Sequence, residues 1–406
     1  MTDGPGSGRR TQVAVAIAVA TVAALVAGAL LLAGADDDDP ASPARPAGPA
    51  ARAPEPEPER PPPPAGPAIG VSVNWLYNSD TFTRAQVEEQ LDAMQAEGVR
   101  LARTDAFWAV AEPEPPAGGV HRYDWGYADR VAGSLAAHGV RWLPIIAYSA
   151  FWASSVPGTD KGAPSDADDY AAYAKAFAQR YGRGGRFWAE HPEVPATPVT
   201  AIEIWNEPDN SDFWAPAPNP AAYIDLYLRS RAAIREADPR ARVLIGGLTG
   251  APTFLPQLLA ARPDARGQVD GVAIHTYSPQ PLGALAEARD ARRTLGALGM
   301  AEVPLWVTEF GWVSRPRNSD KYASPSERPD HIASTTSALA RSDCNVDGVV
   351  LYAWITPGRN PRSESDWYGI RARDGGPTAS SRAFTAVASR AAELASEPVV
   401  QLCAQP

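Results

Sequence analysis

The chain has 406 residues, 45% of them hydrophobic, enough for one large buried core or two modest ones. Its 37 Lys and Arg stand against 47 Asp and Glu, and the net charge of -10 repels phosphate backbones and argues against nucleic acid as a partner. Five scattered His and two Cys, with no CxxC or HxH pair, offer no metal-ligand spacing, so neither a metal nor an organic cofactor is expected.

Residues 1–12 include Arg9 and Arg10 and precede an uncharged apolar run over 13–33, about the twenty residues that cross a bilayer as a helix. Asp36 to Asp39 follow, so the positive-inside rule keeps residues 1–12 in the cytoplasm and delivers the remainder outside, anchored in the cell membrane. The alternative is a signal peptide cleaved near Ala33 to Ala35, which would release a secreted protein. Residues 34–67, mostly Pro, Ala, Glu, Arg and Gly after the aspartates, are expected to form a disordered linker reaching at most about 80 Å.

The folded domain then occupies 68–406, where a strand-then-helix unit repeats eight times. The strands are read as 69–75, 99–105, 140–148, the run ending at Glu207, 242–246, 271–277, 305–309 and 348–354. The first helix opens with Thr83 and Gln86 in capping-box spacing, buries Val87, Leu91 and Met94, and stops at Gly98. A second helix stops at Gly139, and a third carries Tyr170, Tyr173, Phe177 and Tyr181 on one stripe before Gly182. The fourth enters through Asn219 and Pro220, and the last covers 381–395. Eight alternations predict a (β/α)8 TIM barrel, whose active site lies at the C-terminal ends of the strands.

Two of the strands end in a carboxylate. IEIWNEPDN closes on Glu207, where Pro208 removes a backbone donor, and PLWVTEFGW closes on Glu309, which period-two alternation puts on one face with Leu305 and Val307. Two acids facing each other across a barrel mouth suit cleavage of a glycosidic bond, one giving a proton to the leaving oxygen and one meeting the positive charge at the sugar carbon. Glu203 lies deeper in its strand and reads as a buried, paired structural acid. Twelve Trp and thirteen Tyr supply flat faces for sugar rings as well as core filling.

On the Asn206-Glu207-Pro208 and Thr308-Glu309-Phe310-Gly311-Trp312 motifs the chain resembles clan A glycoside hydrolases, families 39 and 5 in particular, over roughly residues 69–395. The resemblance implies Glu207 as acid/base, Glu309 as nucleophile and Asn206 as partner of the sugar's 2-hydroxyl. It also implies that Arg103 steadies the nucleophile, that Tyr277 hydrogen-bonds it, that His275 orients the acid/base side and that Trp354 lies under the bound sugar. Arg103 has a second reading as a salt bridge to Asp105. WYGIRARDGGP, residues 367–377, is similar to the short hairpin that many clan members carry after strand eight, with Asp374 and Gly375 as its turn. The chain departs from several relatives near the end of strand three, where Tyr148 and Ser149 stand in place of a histidine.

The expectation is therefore a membrane-anchored, extracytoplasmic retaining glycosidase with a β-linked polysaccharide or oligosaccharide as substrate. A non-catalytic cell-surface carbohydrate-binding barrel is the alternative. Outside the cytoplasm Cys344 and Cys403 are free to pair and tie down the C-terminal tail.

Overall fold

The computed structural model describes residues 66–78 and 81–404. The expected cytoplasmic segment 1–12, the membrane segment 13–33 and all but the end of the linker 34–67 lie outside the described residues. Among the described residues no helix is long and apolar enough to cross a membrane.

Eight parallel strands close into a barrel in sequence order: β1 (Ala68–Ser72), β2 (Leu101–Phe107), β3 (Arg141–Ala147), β4 (Ala201–Ile204), β5 (Arg242–Leu248), β6 (Val272–His275), β7 (Leu305–Glu309) and β8 (Val346–Leu351). Helices cover the outside, as a parallel sheet buried on both faces requires. The sequence signals act as read. Thr83 and Gln86 form a capping box on helix Arg84–Ala96, and Asn219 caps helix Pro220–Ala237 with Pro220 in its first turn. Gly98 and Gly139 follow their helices at φ of 81° and 66°.

Inside the barrel, alternation builds two layers. Leu101, Leu143, Ala201, Leu244, Ala273, Trp306 and Val350 form an apolar floor, separate from the larger core beneath the helices. Two residues further along the same faces the lumen turns polar, with Arg103, Glu203, His275 and Thr308. The floor supports this charged layer and keeps water from reaching it from below. On the outside, Tyr170, Tyr173, Phe177 and Tyr181 are all buried on helix Ala167–Tyr181.

Most expected strand boundaries move by one to three residues, and four differences have a structural cause. β1 ends at Ser72 rather than at residue 75, because Asn74–Tyr77 turns into a short helix that brings Asn74 and Asn78 over Asp105. β4 ends at Ile204 because Trp205 enters the left-handed region at φ 67°. The last helix divides into Ala379–Ala388 and Ala391–Leu394. No strand pair forms over 367–377; a 3-10 turn over Glu364–Trp367 leads to a tight turn in which Ala372 N bonds Gly376 O and Gly375 sits at φ 86°. Arg371 explains that turn: its guanidinium bonds Gly375 O and Glu97, drawing the segment down onto the first helix.

Candidate active site

Glu207 is aimed by a backbone that leaves the strand. Trp205 and Glu207 both occupy the left-handed region, at φ 67° and 49°, a conformation that costs a residue with a side chain about 1–2 kcal/mol. Buried contacts offset the cost. The Trp205 ring is fully buried, bonds Phe213 O at 2.8 Å, and packs on Tyr148 and Trp214. Tyr223 from the following helix donates to Ile204 O at 2.9 Å and receives Gly246 N at 2.7 Å, fixing the end of β4 against β5. Non-glycine residues held in this region concentrate at functional sites.

Glu309 reaches the mouth by a different device. Strict alternation would send it outward with Leu305 and Val307, since Trp306 and Thr308 face the lumen. The register between β6 and β7 shifts at the tip, however: Ile274 pairs with Val307 and His275 with Glu309, leaving Thr308 as the extra residue of a bulge. That bulge re-aims Glu309 to stand beside His275.

One guanidinium joins the layers. Arg103 is fully buried and donates from Nε to Glu203 Oε2 at 2.7 Å, from Nη2 to Glu203 Oε1 at 3.1 Å and to Asn206 Oδ1 at 2.9 Å, and from Nη1 to Glu309 Oε1 at 2.6 Å. Burial opposes its charge, but the two glutamates outweigh burial and hold it well above the ordinary arginine value. Glu203 also accepts from Gly247 N at 2.8 Å and Thr308 Oγ1 at 3.2 Å. Its side chain is 0% exposed, against 10% for Glu207 and 11% for Glu309, so only the latter two present carboxylate to solvent. The alternative partner of Arg103, Asp105, is instead held by the side-chain amides of Asn74 and Asn78. Burial raises Asp105 above the usual carboxylate range, against the pull of Arg103 and Lys161.

His275 lies between the two acids of the mouth. Its Nδ1 is 2.7 Å from Glu207 Oε1, and its Nε2 is 3.7 Å from Glu309 Oε1 and 3.4 Å from Arg103 Nη2. Burial favours the neutral ring, but Glu309 and the hydrogen-bonded Glu207 outweigh it, so the imidazole titrates above its ordinary value. The remaining oxygens are also held: Tyr277 donates to Glu309 Oε2 at 2.7 Å and Asn210 Nδ2 to Glu207 Oε2 at 2.7 Å. Glu207, His275 and Glu309 bring one donor atom each within 4.8 Å of one another, as a metal site would. The guanidinium on Glu309 repels a cation there, so the trio suits hydrogen bonding better than metal ligation.

Six expected residues, Glu207, Glu309, Arg103, Asn206, His275 and Tyr277, thus come together at the C-terminal ends of the strands. Trp354 does not. It is fully buried, donates to Gln90 on the first helix at 3.0 Å and lies under the Arg371 guanidinium, outside the lumen. β8 ends three residues earlier, so alternation no longer carries to position 354. The aromatic beside the acids from this strand end is Tyr352, whose ring lies 6.3 Å from Tyr277 and 5.3 Å from Tyr368. Lys161 was missed because it sits far from any strand end; its ammonium lies 3.1 Å from the Tyr148 ring centre, and burial lowers it. Asn210 left a signal, three residues beyond Glu207 in a turn closed by Asn210 N to Glu207 O.

No family model matches the chain. A curated relative, a β-xylosidase of Geobacillus stearothermophilus, is 24% identical over 230 residues, which is 48% of this chain and 42% of the relative's length. Among solved structures, a monomeric β-xylosidase from Caulobacter crescentus CB15 superposes with a TM-score of 0.62 at 20% identity, covering 79% of this chain and 69% of that one. A glucosidase from Croceicoccus marinus superposes with a TM-score of 0.61 at 18% identity, covering 80% and 68%. The shared feature is the barrel, and the chain resembles clan A glycoside hydrolases, family 39 among them.

Proposed function

We propose that the protein is a retaining glycoside hydrolase that cleaves β-linked glycans with Glu309 as nucleophile and Glu207 as acid/base. The observation that carries this reading is separation: an oxygen of Glu207 and one of Glu309 lie within 4.8 Å. Retaining enzymes set their carboxyl groups about 5–5.5 Å apart, whereas inverting ones leave about 6.5–9.5 Å for a water molecule. The relatives named β-xylosidase support a β-linked substrate.

In the first step a Glu309 oxygen bonds to the anomeric carbon as the bond from that carbon to the leaving oxygen breaks, and Glu207 passes its proton to that oxygen. In the second, water attacks the same carbon and gives its proton to Glu207, and the ester bond to Glu309 breaks to restore the carboxylate. Arg103 and Tyr277 orient the Glu309 carboxylate for attack, and His275 fixes Glu207. The test is NMR of the first sugar released from an aryl β-glycoside. A β-anomer that later mutarotates supports retention, and an α-anomer overturns it.

The same reading puts the domain outside the cytoplasm, tethered through residues 13–33 or secreted after their cleavage. The bond between Cys344 and Cys403 supports an oxidising compartment. Alkaline extraction of membranes separates the alternatives: a tethered chain stays with the pellet, a secreted one appears in the medium.

A further inference from the structure

The chain is acidic overall, with a net charge of -10, yet one side of the barrel mouth is basic. The loops after β7 and β8 carry Arg315, Arg317, Arg359 and Arg362, all exposed, and none makes an ion pair with another described residue. Nearby acids are engaged elsewhere. Lys321 holds Asp320 at 3.0 Å and faces Glu364 at 3.7 Å, and Asp366 accepts from the backbone N–H groups of Arg359 and Asn360 at 3.0 and 2.7 Å.

The two loops are knit together around Trp367. Ser314 N donates to Trp367 O at 3.1 Å, Trp367 Nε1 donates to Asn360 O at 2.7 Å, and the Arg315 guanidinium lies 5.4 Å from the indole centre. The next residue, Tyr368, has its ring 5.4 Å from that of Tyr277, whose hydroxyl bonds Glu309. A path therefore runs from the Glu309 carboxylate through the Tyr277 and Tyr368 rings and, across one peptide bond, to Trp367 and the Arg315 guanidinium.

We propose that this rim selects an anionic polysaccharide, whose charged units pair with Arg315, Arg317, Arg359 and Arg362 while a glycosidic bond lies between Glu207 and Glu309. The inference rests on the hydrolase reading for the position of the bond, but not for the binding. Guanidinium groups match carboxylate and sulfate oxygens in paired hydrogen bonds. An otherwise acidic protein needs such a patch to hold a polyanion against its own repulsion. A neutral glycan offers these arginines hydroxyl acceptors but no charge to pair with.

Native affinity electrophoresis of the full-length chain in non-ionic detergent tests this with two polymers of one β-linked backbone, carboxymethyl cellulose and hydroxyethyl cellulose. The expected result is retardation by the charged polymer only, with its dissociation constant raised about tenfold or more in R359A/R362A and in R315A/R317A, and similarly by about 0.5 M salt. R359K/R362K should retain much of the binding, and melting temperatures check that each variant is folded. Equal retardation by both polymers, none by either, or alanine variants that bind like the parent would overturn the proposal. Glu309→Gln keeps the two readings apart, because it removes turnover in the hydrolase reading and leaves this binding intact.

Discussion

Arg103 donates from Nη1 to Glu309 Oε1 at 2.6 Å while its Nε and Nη2 hold both oxygens of Glu203, so a single buried cation serves a structural acid and one at the mouth. Removing it leaves Glu203 buried without a counter-charge and Glu309 without its fixed partner. Arg103→Met is expected to lose about 3–5 kcal/mol of unfolding free energy, the range for breaking a buried pair. Urea unfolding measures the loss, and a variant within about 0.5 kcal/mol of the parent would contradict the account.

Gly247 is the second place where structure dictates an outcome. A Cβ there would stand 2.0 Å from His275 Nε2, so Gly247→Ala must displace the imidazole that links the two acids. Turnover is expected to fall at least about tenfold, with about 1–3 kcal/mol of overpacking cost. Gly296 in helix Pro281–Ala297 is the matched control: its Cβ meets nothing within 4 Å, and Gly296→Ala should leave turnover unchanged and add up to about 1 kcal/mol of stability. Equal behaviour of the two variants would mean that His275 does not position Glu207.

His275 also sets a pH dependence. Burial pushes its proton off, Glu309 and Glu207 hold it on more strongly, and Arg103 opposes them, with the net value above the ordinary 6.5. A group whose folded value is raised adds stability that is complete below the unfolded value and fades as pH climbs through the folded one. The melting-temperature penalty of His275→Gln should therefore be largest near about pH 6 and shrink at alkaline pH. A penalty that grows with pH would reverse the assigned direction.

The Cys344–Cys403 bond spans 59 positions of sequence and fastens a tail whose Leu402, Cys403 and Ala404 N–H groups all donate to Asp343. In the loop-entropy model such a closure contributes about 4 kcal/mol. The paired change C344A/C403A, compared with reduction of the parent, should reproduce most of that loss. A difference under about 1 kcal/mol would mean that the tail's backbone bonds suffice.

Barrel and acids were legible because their signals are local. Eight apolar runs punctuated by Gly98, Gly139, Gly182 and the Asn219-Pro220 cap announce strands and helices, and Glu207 and Glu309 stand where two runs stop. Two placements failed at the strand ends. The resemblance implied Trp354 under the sugar, but β8 ends at Leu351, and alternation grouped Glu309 with the outward Leu305 and Val307, whereas a bulge at Thr308 re-aims it to the mouth. Left-handed Trp205 and Glu207 gave no composition signal, because glycine usually fills that region. Lys161, and Asn74 and Asn78 over Asp105, depend on loop paths that no periodicity encodes.

The central claim is that Glu309 forms a covalent bond to the sugar. Intact-protein and peptide mass spectrometry after incubation with a 2-deoxy-2-fluoro aryl β-glycoside, chosen from a sugar that the parent turns over, tests it most directly. The account predicts one added glycosyl group per chain on the peptide containing Glu309, and none on Glu309→Gln. A parent that turns over the parent glycoside but carries the label on another acid, or a Glu309→Gln variant with near-normal turnover, would contradict it.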